Sequence, residues 1–163
     1  MTTVTKNKSQ QLSALQTILL SGLIIAILDF IAAAAVFNIW YKLTPTQVIQ
    51  FIASSIFGPS AFDGSTLMII AGSIIHTLIS YIIALAYFYA YPKINFLQKY
   101  PIIAGLLYGL GFWLIMNLLI IPNTNVQQSP FDPALAVVSI IWHMVLVGLP
   151  AALITRKYYN NIN

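Results

Sequence analysis

Four polar residues, each inside a different long apolar run, are the parts of this sequence that could carry chemistry: Asp29, His76, Asn117 and His143. A charged side chain at the centre of a lipid bilayer costs about 2.5–3.5 kcal/mol on insertion scales, and such residues usually mark ion pathways or proton relays. Carboxylate and imidazole groups exchange protons and also ligate metal ions. We therefore treat these four residues as the candidate site.

Three of the four residues are predicted to share one layer of the membrane. At about 1.5 Å per helical residue, Asp29, His76 and His143 lie roughly 15–16 Å from the outer ends of their runs. Desolvation disfavours the charged form of each residue alone, whereas a carboxylate beside an imidazole titrates jointly with it. The alternative is structural, because polar side chains that hydrogen-bond neighbouring helices contribute about 0.6 kcal/mol on average. The structural interpretation is favoured for Asn117, which lies nearer the outer end.

The same residues leave two cofactor alternatives open. His76 and His143, at matching depth on different helices, would suit bis-histidine haem ligation, and Asp29 with both histidines would form a three-ligand metal site. The first expectation is that there is no cofactor, because no further haem or metal motif accompanies them. The chain has no cysteine, which excludes thiolate chemistry. It lacks the zincin, P-loop and nucleophile-elbow motifs, so a protein without enzymatic activity is expected.

The elements that must position these residues are membrane-spanning helices. The chain is 60% hydrophobic and only 6% charged, against about 25% charged residues in soluble domains. Each of the apolar runs approaches the ~20 residues needed to cross about 30 Å of hydrocarbon. The sequence therefore predicts an all-α integral membrane four-helix bundle in a single domain, residues 1–163. The predicted spans are about 15–40, 66–91, 101–121 and 133–155.

A short amphipathic helix is predicted in the first outer loop, over about residues 45–57. Thr44-Pro45 is typical of an N-cap and first helical residue, and Gly58-Pro59 of a helix end. The apolar face is predicted to hold Val48, Ile49, Ile52 and Ile56, with Gln47, Gln50 and Ser54 largely opposite. A helix lying on the outer leaflet is the preferred interpretation, and a re-entrant half-helix is the alternative.

The basic residues predict the orientation of the bundle. Six of the seven fall in segments that four spans place on one side of the membrane: Lys6, Lys8, Lys93, Lys99, Arg156 and Lys157. By the positive-inside rule both termini are cytoplasmic, and the expected environment is the lipid bilayer of a cytoplasmic (inner) membrane. The first run is too long for the core of a signal peptide and contains Asp29, so we expect it to be retained.

Small residues predict where helices approach closely. Gly105 and Gly109 form a Gly-x-x-x-Gly motif with Gly111 following, which lets another backbone pack against the third span. A helix of the same bundle is the preferred neighbour, while a homo-oligomer or another membrane protein stays open as a partner. No nucleic-acid partner is expected, because the net charge of +4 comes from the flanks of the spans. Pro150 is predicted to kink the fourth span and free the carbonyl of Leu146.

Several short stretches in the second half of the chain resemble a known group. They are Ala86-Tyr87, Tyr91-Pro92-Lys93-Ile94, the run from Pro101 to Gly109, Met116-Asn117-Leu118 with Ile121-Pro122, and His143-Met144 with Val147 to Ala151. Together they resemble a group of small uncharacterised bacterial four-span membrane proteins, and more distantly the YagU-like inner-membrane proteins. The resemblance covers spans two to four and implies a bacterial cytoplasmic membrane and a four-helix bundle. It implies no activity, and Asp29 lies outside it.

The function predicted from these features is that of a multi-pass membrane protein whose buried Asp/His layer handles protons or small cations, or senses pH. One alternative is a haem- or metal-binding redox module that uses the two histidines. The other is an architectural partner subunit whose polar residues only hold its helices together.

Overall fold

The computed structural model describes residues 12–127 and 130–162, so Lys6 and Lys8 lie outside the described part of the chain. Throughout that part, every regular element is a helix. Helices long and apolar enough to cross a membrane cover Ala14–Tyr41, Thr66–Ala90, Pro101–Asn123 and Pro133–Asn161. The predicted all-α four-helix bundle is therefore confirmed. The fourth span is longer than predicted, because its helix continues past the basic residues Arg156 and Lys157.

The elements follow one another with short connections. The first two spans are α1 (Ala14–Tyr41) and α3 (Thr66–Ala90). They are joined by α2 (Pro45–Phe57) and a 3-10 turn (Gly58–Phe62), and α4 (Asn95–Lys99) leads from α3 to the third span. That span comprises α5 (Pro101–Ile115), a π-helical turn (Met116–Ile120) and a 3-10 turn (Ile121–Asn123). The fourth comprises α6 (Pro133–Trp142), a π-helical segment (His143–Gly148) and α7 (Leu149–Ile162).

The helix starts are built from the local residues that the sequence indicates. Thr44 caps α2, its hydroxyl accepting the backbone N–H of Gln47, whose side chain returns a bond to the Thr44 backbone. Asp132 caps α6 by accepting the backbone N–H groups of Ala134 and Leu135. These caps satisfy backbone donors that a helix start would otherwise leave without partners.

The first span shows how the bundle is arranged relative to lipid. Its outward face carries the large apolar residues Leu15, Leu19, Leu23, Ile27 and Ile31, all of them exposed. The opposite face carries Thr17, Ser21 and Ile25, which are buried, followed by the half-buried Asp29. Small and polar side chains thus face the other helices while apolar ones face outward, as expected where the surrounding medium is hydrocarbon.

The fourth span packs against each of the other three, and glycines let the third span approach it most closely. A Cβ on Gly109 would collide with the carbonyl oxygen of His143, and a Cβ on Gly105 would come within 2.9 Å of the Gly148 carbonyl oxygen. A Cβ on Gly111 would meet no described atom within 4 Å. Gly105 and Gly109 therefore serve a contact inside the bundle, whereas Gly111 does not contribute to it.

Helix α2 has the predicted bounds, but its buried face differs from the predicted one. Gln50 and Ser54, expected on the exposed side, are buried, while Ile56 is 58% exposed. The reason is tertiary packing, because α2 packs along α3. In addition, Asn125 covers the end of α2 by donating to the carbonyls of Ser55 and Ile56; it belongs to the loop between the third and fourth spans, which we call the second long loop. Whether this helix lies on the membrane surface or enters it stays a prediction.

Prolines account for the two π-helical stretches. Pro122 and Pro150 have no N–H to return to the carbonyl four residues earlier, so the preceding turn of each helix is open to rearrangement. In the fourth span the N–H of Leu149 reaches back five residues to the carbonyl of Met144. Such widened turns are rare and often occur at functional sites. One of them begins at His143 and the other contains Asn117.

Candidate functional site

Asp29 and His143 lie side by side between the first and fourth spans. His143 Nε2 is 3.6 Å from Asp29 Oδ1, and the two side chains are 13% and 20% exposed respectively. The same carboxylate oxygen accepts a hydrogen bond from Trp142 Nε1 at 2.9 Å. His143 is therefore the histidine that lies beside Asp29.

The hydrogen bonds of His143 decide which of its nitrogens can take up a proton. Its Nδ1 lies 2.7 Å from the backbone carbonyl oxygen of Ser139. Because a carbonyl oxygen only accepts, Nδ1 must carry the hydrogen in that bond. In the neutral imidazole the lone pair is then on Nε2, the nitrogen that faces Asp29.

The residues around the pair hold its members in place. The Trp142 ring stacks on the His143 ring with centroids 5.1 Å apart. Ser139, whose carbonyl orients His143, receives a 2.8 Å hydrogen bond from Trp113 Nε1 of α5 and donates its own hydroxyl to the Ala136 carbonyl. The network thus joins α1, α5 and the fourth span, which fixes the rotation of the fourth span about its axis.

A second tryptophan–aspartate bond joins the same two spans. Trp40, near the end of α1, donates to Asp132 Oδ2 at 3.1 Å, and Asp132 is also the N-cap of α6. Each span therefore supplies one donor tryptophan and one acceptor aspartate to its antiparallel neighbour. The two bonds set the register of α1 against the fourth span, so that Asp29 arrives at the level of His143.

His76 is placed in a different environment. Its Nε2 lies 2.9 Å from the backbone carbonyl oxygen of Ala26, so this nitrogen is the donor and Nδ1 keeps its lone pair. The ring packs edge-on against Phe30 at 6.2 Å and lines a groove of about 440 Å³. The groove is bordered mainly by apolar residues of α1, the start of α2 and α3, together with Ser73 and Thr77.

Asn117 is occupied within its own helix. Its Nδ2 donates to the backbone carbonyl oxygen of Trp113 at 3.0 Å. That carbonyl lies at the point where α5 passes into the π-helical turn, so the amide supplements the backbone bonding of the widened turn. The structural interpretation favoured from the sequence is a bond to a neighbouring helix, whereas the bond observed here lies within the helix of Asn117 itself.

The four candidate residues thus fall into separate environments. Asp29 and His143 form a pair, while the hydrogen bonds of His76 and Asn117 go to backbone carbonyls. Among residues 12–127 and 130–162, no group of three His, Cys, Asp or Glu side chains could hold a metal ion. The three-ligand arrangement of Asp29, His76 and His143 is therefore not formed, and the histidine of α3 instead bonds the backbone carbonyl of Ala26.

Trp142, Ser139 and Trp113 belong to the site but do not stand out in the sequence by titratable chemistry. One signal could have found Trp142. It lies well inside an apolar run, and a buried indole N–H usually finds an acceptor. The only acidic residue inside any of the predicted spans is Asp29, which made it a strong candidate for that acceptor.

Comparison of the chain with protein-family models, with curated proteins and with solved structures finds no match. The resemblance to a bacterial four-span group therefore stays an expectation.

Proposed function

We propose that this chain is a multi-pass membrane protein that binds and releases a proton at the Asp29–His143 pair, and thereby makes the contact between its first and fourth spans sensitive to pH. The observation that carries the proposal is the 3.6 Å approach of His143 Nε2, the lone-pair nitrogen, to Asp29 Oδ1. Ionisable groups in this setting are typical of proton relays.

The charge of the pair explains why a proton would matter. With one proton shared between them the two residues carry no net charge, whether as neutral acid and imidazole or as carboxylate and imidazolium. Loss of that proton leaves a net negative charge, and gain of another leaves a net positive charge. Either change is costly between apolar helices. Binding or release of a proton therefore changes the net charge between the two helices, and the bundle responds to that change.

The geometry supports a change of contact rather than a fixed bond. A distance of 3.6 Å exceeds the ~2.7–3.2 Å of an N–H···O hydrogen bond. A proton on Nε2 turns that nitrogen into a donor aimed at an acceptor, which favours closure of the gap. His143 opens the π-helical segment, where the backbone can adjust more easily than in a regular helix.

A proton suits this pair better than a metal cation does. His143 offers one free nitrogen, and Asp29 Oδ1 already accepts the indole N–H of Trp142. Metal sites generally require three or more protein ligands. A pair with one shared position is sufficient for proton binding.

We further propose the orientation and the membrane. Lys93, Lys99, Arg156 and Lys157 are exposed at the end of the bundle where α1 begins and α7 ends, and Lys42 is at the opposite end. The positive-inside rule favours a cytoplasmic location for that end and hence for both termini. The resemblance noted in the sequence favours a bacterial inner membrane. The lipid bilayer is the partner that the exposed apolar residues require.

The proposal is tested by following the protonation of Asp29 and His143 in lipid nanodiscs. The chain has three acidic residues and two histidines, so both infrared carboxyl bands and histidine ¹⁵N signals can be assigned by substitution. We expect a carboxyl band and a His143 signal that titrate together, and we expect Asp29→Asn and His143→Gln each to abolish the joint titration.

His76→Gln is the matched control, because it alters an imidazole of similar depth that lies outside the pair. It is expected to leave the joint titration unchanged. If Asp29→Asn folds normally and the signal of His143 still titrates as in the parent protein, the two residues do not share a proton and the proposed function is incorrect.

A further inference from the structure

The inward face of α1 continues below Asp29 as a column of buried residues. Stepping back four residues at a time from Asp29 leads to Ile25, Ser21 and Thr17, which are 0%, 1% and 1% exposed. Residues at this spacing lie one above another on a helix. The column runs from the pair to the end of the bundle where α1 begins and α7 ends, which we call the terminal side.

The fourth span carries a matching column. Stepping forward from His143 by the same interval leads to Val147, Ala151 and Thr155, exposed by 1%, 0% and 1%. Because the two spans are antiparallel and Asp29 meets His143, each step on one span lies opposite a step on the other. Ile25 therefore faces Val147, and both belong to one core cluster.

Hydroxyl groups collect in the terminal half of this double column. Thr17, Ser21 and Thr155 of the two spans are essentially inaccessible, and so is Tyr87 of α3, which belongs to the same core cluster as Ile25 and Val147. Ser21 Oγ and Tyr87 Oη make no hydrogen bond to any described residue. A buried hydroxyl without a partner is costly, and it retains its full ability to donate and accept. The hydroxyl of Thr17 reaches the carbonyl of Ser13, an exposed residue on the terminal side.

Aromatic rings lie on the side of the pair that faces away from the terminal side. On α1 the same face continues from Asp29 to Phe37 and Tyr41, whose rings stack at 6.0 Å. Phe37 also packs edge-on against Trp142 at 6.4 Å and contacts Phe51 of α2 at 6.1 Å. The pair thus has aromatic side chains on its far side and hydroxyl groups beyond one apolar layer on its terminal side.

We propose that the Asp29–His143 pair exchanges its proton with the terminal side, through the hydroxyl column of Thr17, Ser21, Tyr87 and Thr155, and that Ile25 and Val147 form the barrier in this route. The inference rests on the proposed function and adds the side of the bundle with which the pair exchanges its proton. The proton moves between Nε2 or Oδ1 of the pair and water at the terminal surface, and each transfer changes the charge of the pair by one.

The other titratable groups on the helices around the pair do not compete for this role. On α3 they are His76, Tyr81, Tyr87 and Tyr89, and on α5 the group is Tyr108. Tyr41 lies at the far end of α1, and α7 carries Arg156, Lys157, Tyr158 and Tyr159 near its end on the terminal side. The hydroxyl of Tyr108 donates to the carbonyl of Ile83, and His76 is bonded to Ala26. Within the described chain, Asp29 and His143 form an ion pair with each other and with no other residue.

The test is a one-sided pH jump on proteoliposomes that contain the full chain. Because the natural sequence has no cysteine, one cysteine added after Asn163 and labelled with an impermeant reagent reports which vesicles expose the terminal side. Protonation of the pair is followed by the infrared band of Asp29. We expect a fast response when acid is added on the terminal side and a slow one from the far side.

Variants then identify the route. Ser21→Ala with Tyr87→Phe is expected to slow the response about tenfold or more, since losing hydrogen-bonding groups from a buried path raises the barrier by roughly the energy of a hydrogen bond. Ser73→Ala with Tyr81→Phe removes the same groups outside the column and should leave the rate unchanged. Ile25→Ala thins the barrier and should accelerate the response, which keeps the test decisive if the first variant fails to fold.

The outcomes separate this inference from the proposed function. Equal rates from both sides, or a hydroxyl double variant that folds and responds at the parent rate, would overturn the route while leaving proton binding intact. Failure of the Asp29 band to respond from either side, and at equilibrium with the pH equal on both sides, would overturn proton binding itself and the route with it.

Discussion

The Gly109→Ala substitution is the sharpest test of the packing that carries His143. The added methyl carbon would lie 2.7 Å from the Cα atom of Met144 and closer still to the His143 carbonyl oxygen, whereas ordinary contacts begin near 3.4 Å. Both neighbours are backbone atoms of the π-helical segment, so no side-chain rotation can relieve the contact. The third and fourth spans must separate by at least about 0.7 Å at this level.

Overpacking of this kind costs about 1–3 kcal/mol. Gly111→Ala is the matched control on the same helix, because its methyl group would meet no described atom within 4 Å. Replacing glycine by alanine in a helix is otherwise favourable by up to about 1 kcal/mol. We therefore expect Gly109→Ala to lower the free energy of unfolding and Gly111→Ala to leave it equal or raise it.

The assay is reversible unfolding in mixed micelles, followed by circular dichroism and by tryptophan fluorescence. Gly109→Ala should also disturb the joint titration of the pair, because the displaced carbonyl belongs to His143 itself. Equal unfolding free energies for the two variants would refute the reasoning, since they would show that the third span can move away from His143 without cost.

Three further expectations follow from single contacts. Trp142→Phe removes the hydrogen bond to Asp29 and should cost about 0.6 kcal/mol of unfolding free energy and at most about 1.7 kcal/mol, the average and the maximum measured for interhelical hydrogen bonds in membranes. It should also shift the infrared band of the carboxyl group. His76→Leu removes a bond to the Ala26 carbonyl, which should cost about 0.6 kcal/mol in the same micelle unfolding assay while the pair still titrates. In the loop before α3, the backbone N–H of Ser65 donates to Asp63 Oδ1 at 2.7 Å, and this bond holds the pKa of Asp63 below its ordinary value. The resulting stabilisation of this turn is complete above the ordinary pKa and is lost as the pH falls through the lowered one, so amide exchange at the start of α3 should accelerate at acid pH in the parent protein but not in Asp63→Asn.

The fold could be predicted from the sequence because hydropathy and helix caps are local properties. Four apolar runs of spanning length and the Thr44-Pro45 and Asp132-Pro133 starts lie where the structure has them. The buried face of α2 could not be predicted in this way. Gln50 and Ser54 are covered because α3 and the second long loop pack there, and that packing depends on residues distant in sequence.

Which residues come together in the site could be predicted only in part. Depth along a helix can be counted in residues, so Asp29, His76 and His143 were all expected in one layer. Which of them meet depends also on the rotation of each helix, and that angle follows from packing. For α1 a signal was present, since Thr17, Ser21 and Asp29 mark the inward face at four-residue spacing. On α3 the same spacing places His76 between the buried residues Gly72 and Ser80, but the series does not show which neighbouring helix that face meets.

The two tryptophan–aspartate bonds suggest where the bundle would respond to a proton. Both join α1 to α6, so they hold the first half of the fourth span fixed against the first span. His143 follows directly, at the start of the π-helical segment that ends before Pro150. A change in the attraction between Asp29 and His143 would then move mainly that segment and α7, because α6 is held to α1 by the two tryptophan–aspartate hydrogen bonds. The residues displaced first would be Val147 and its neighbours, which are the same residues that separate the pair from the buried hydroxyl groups.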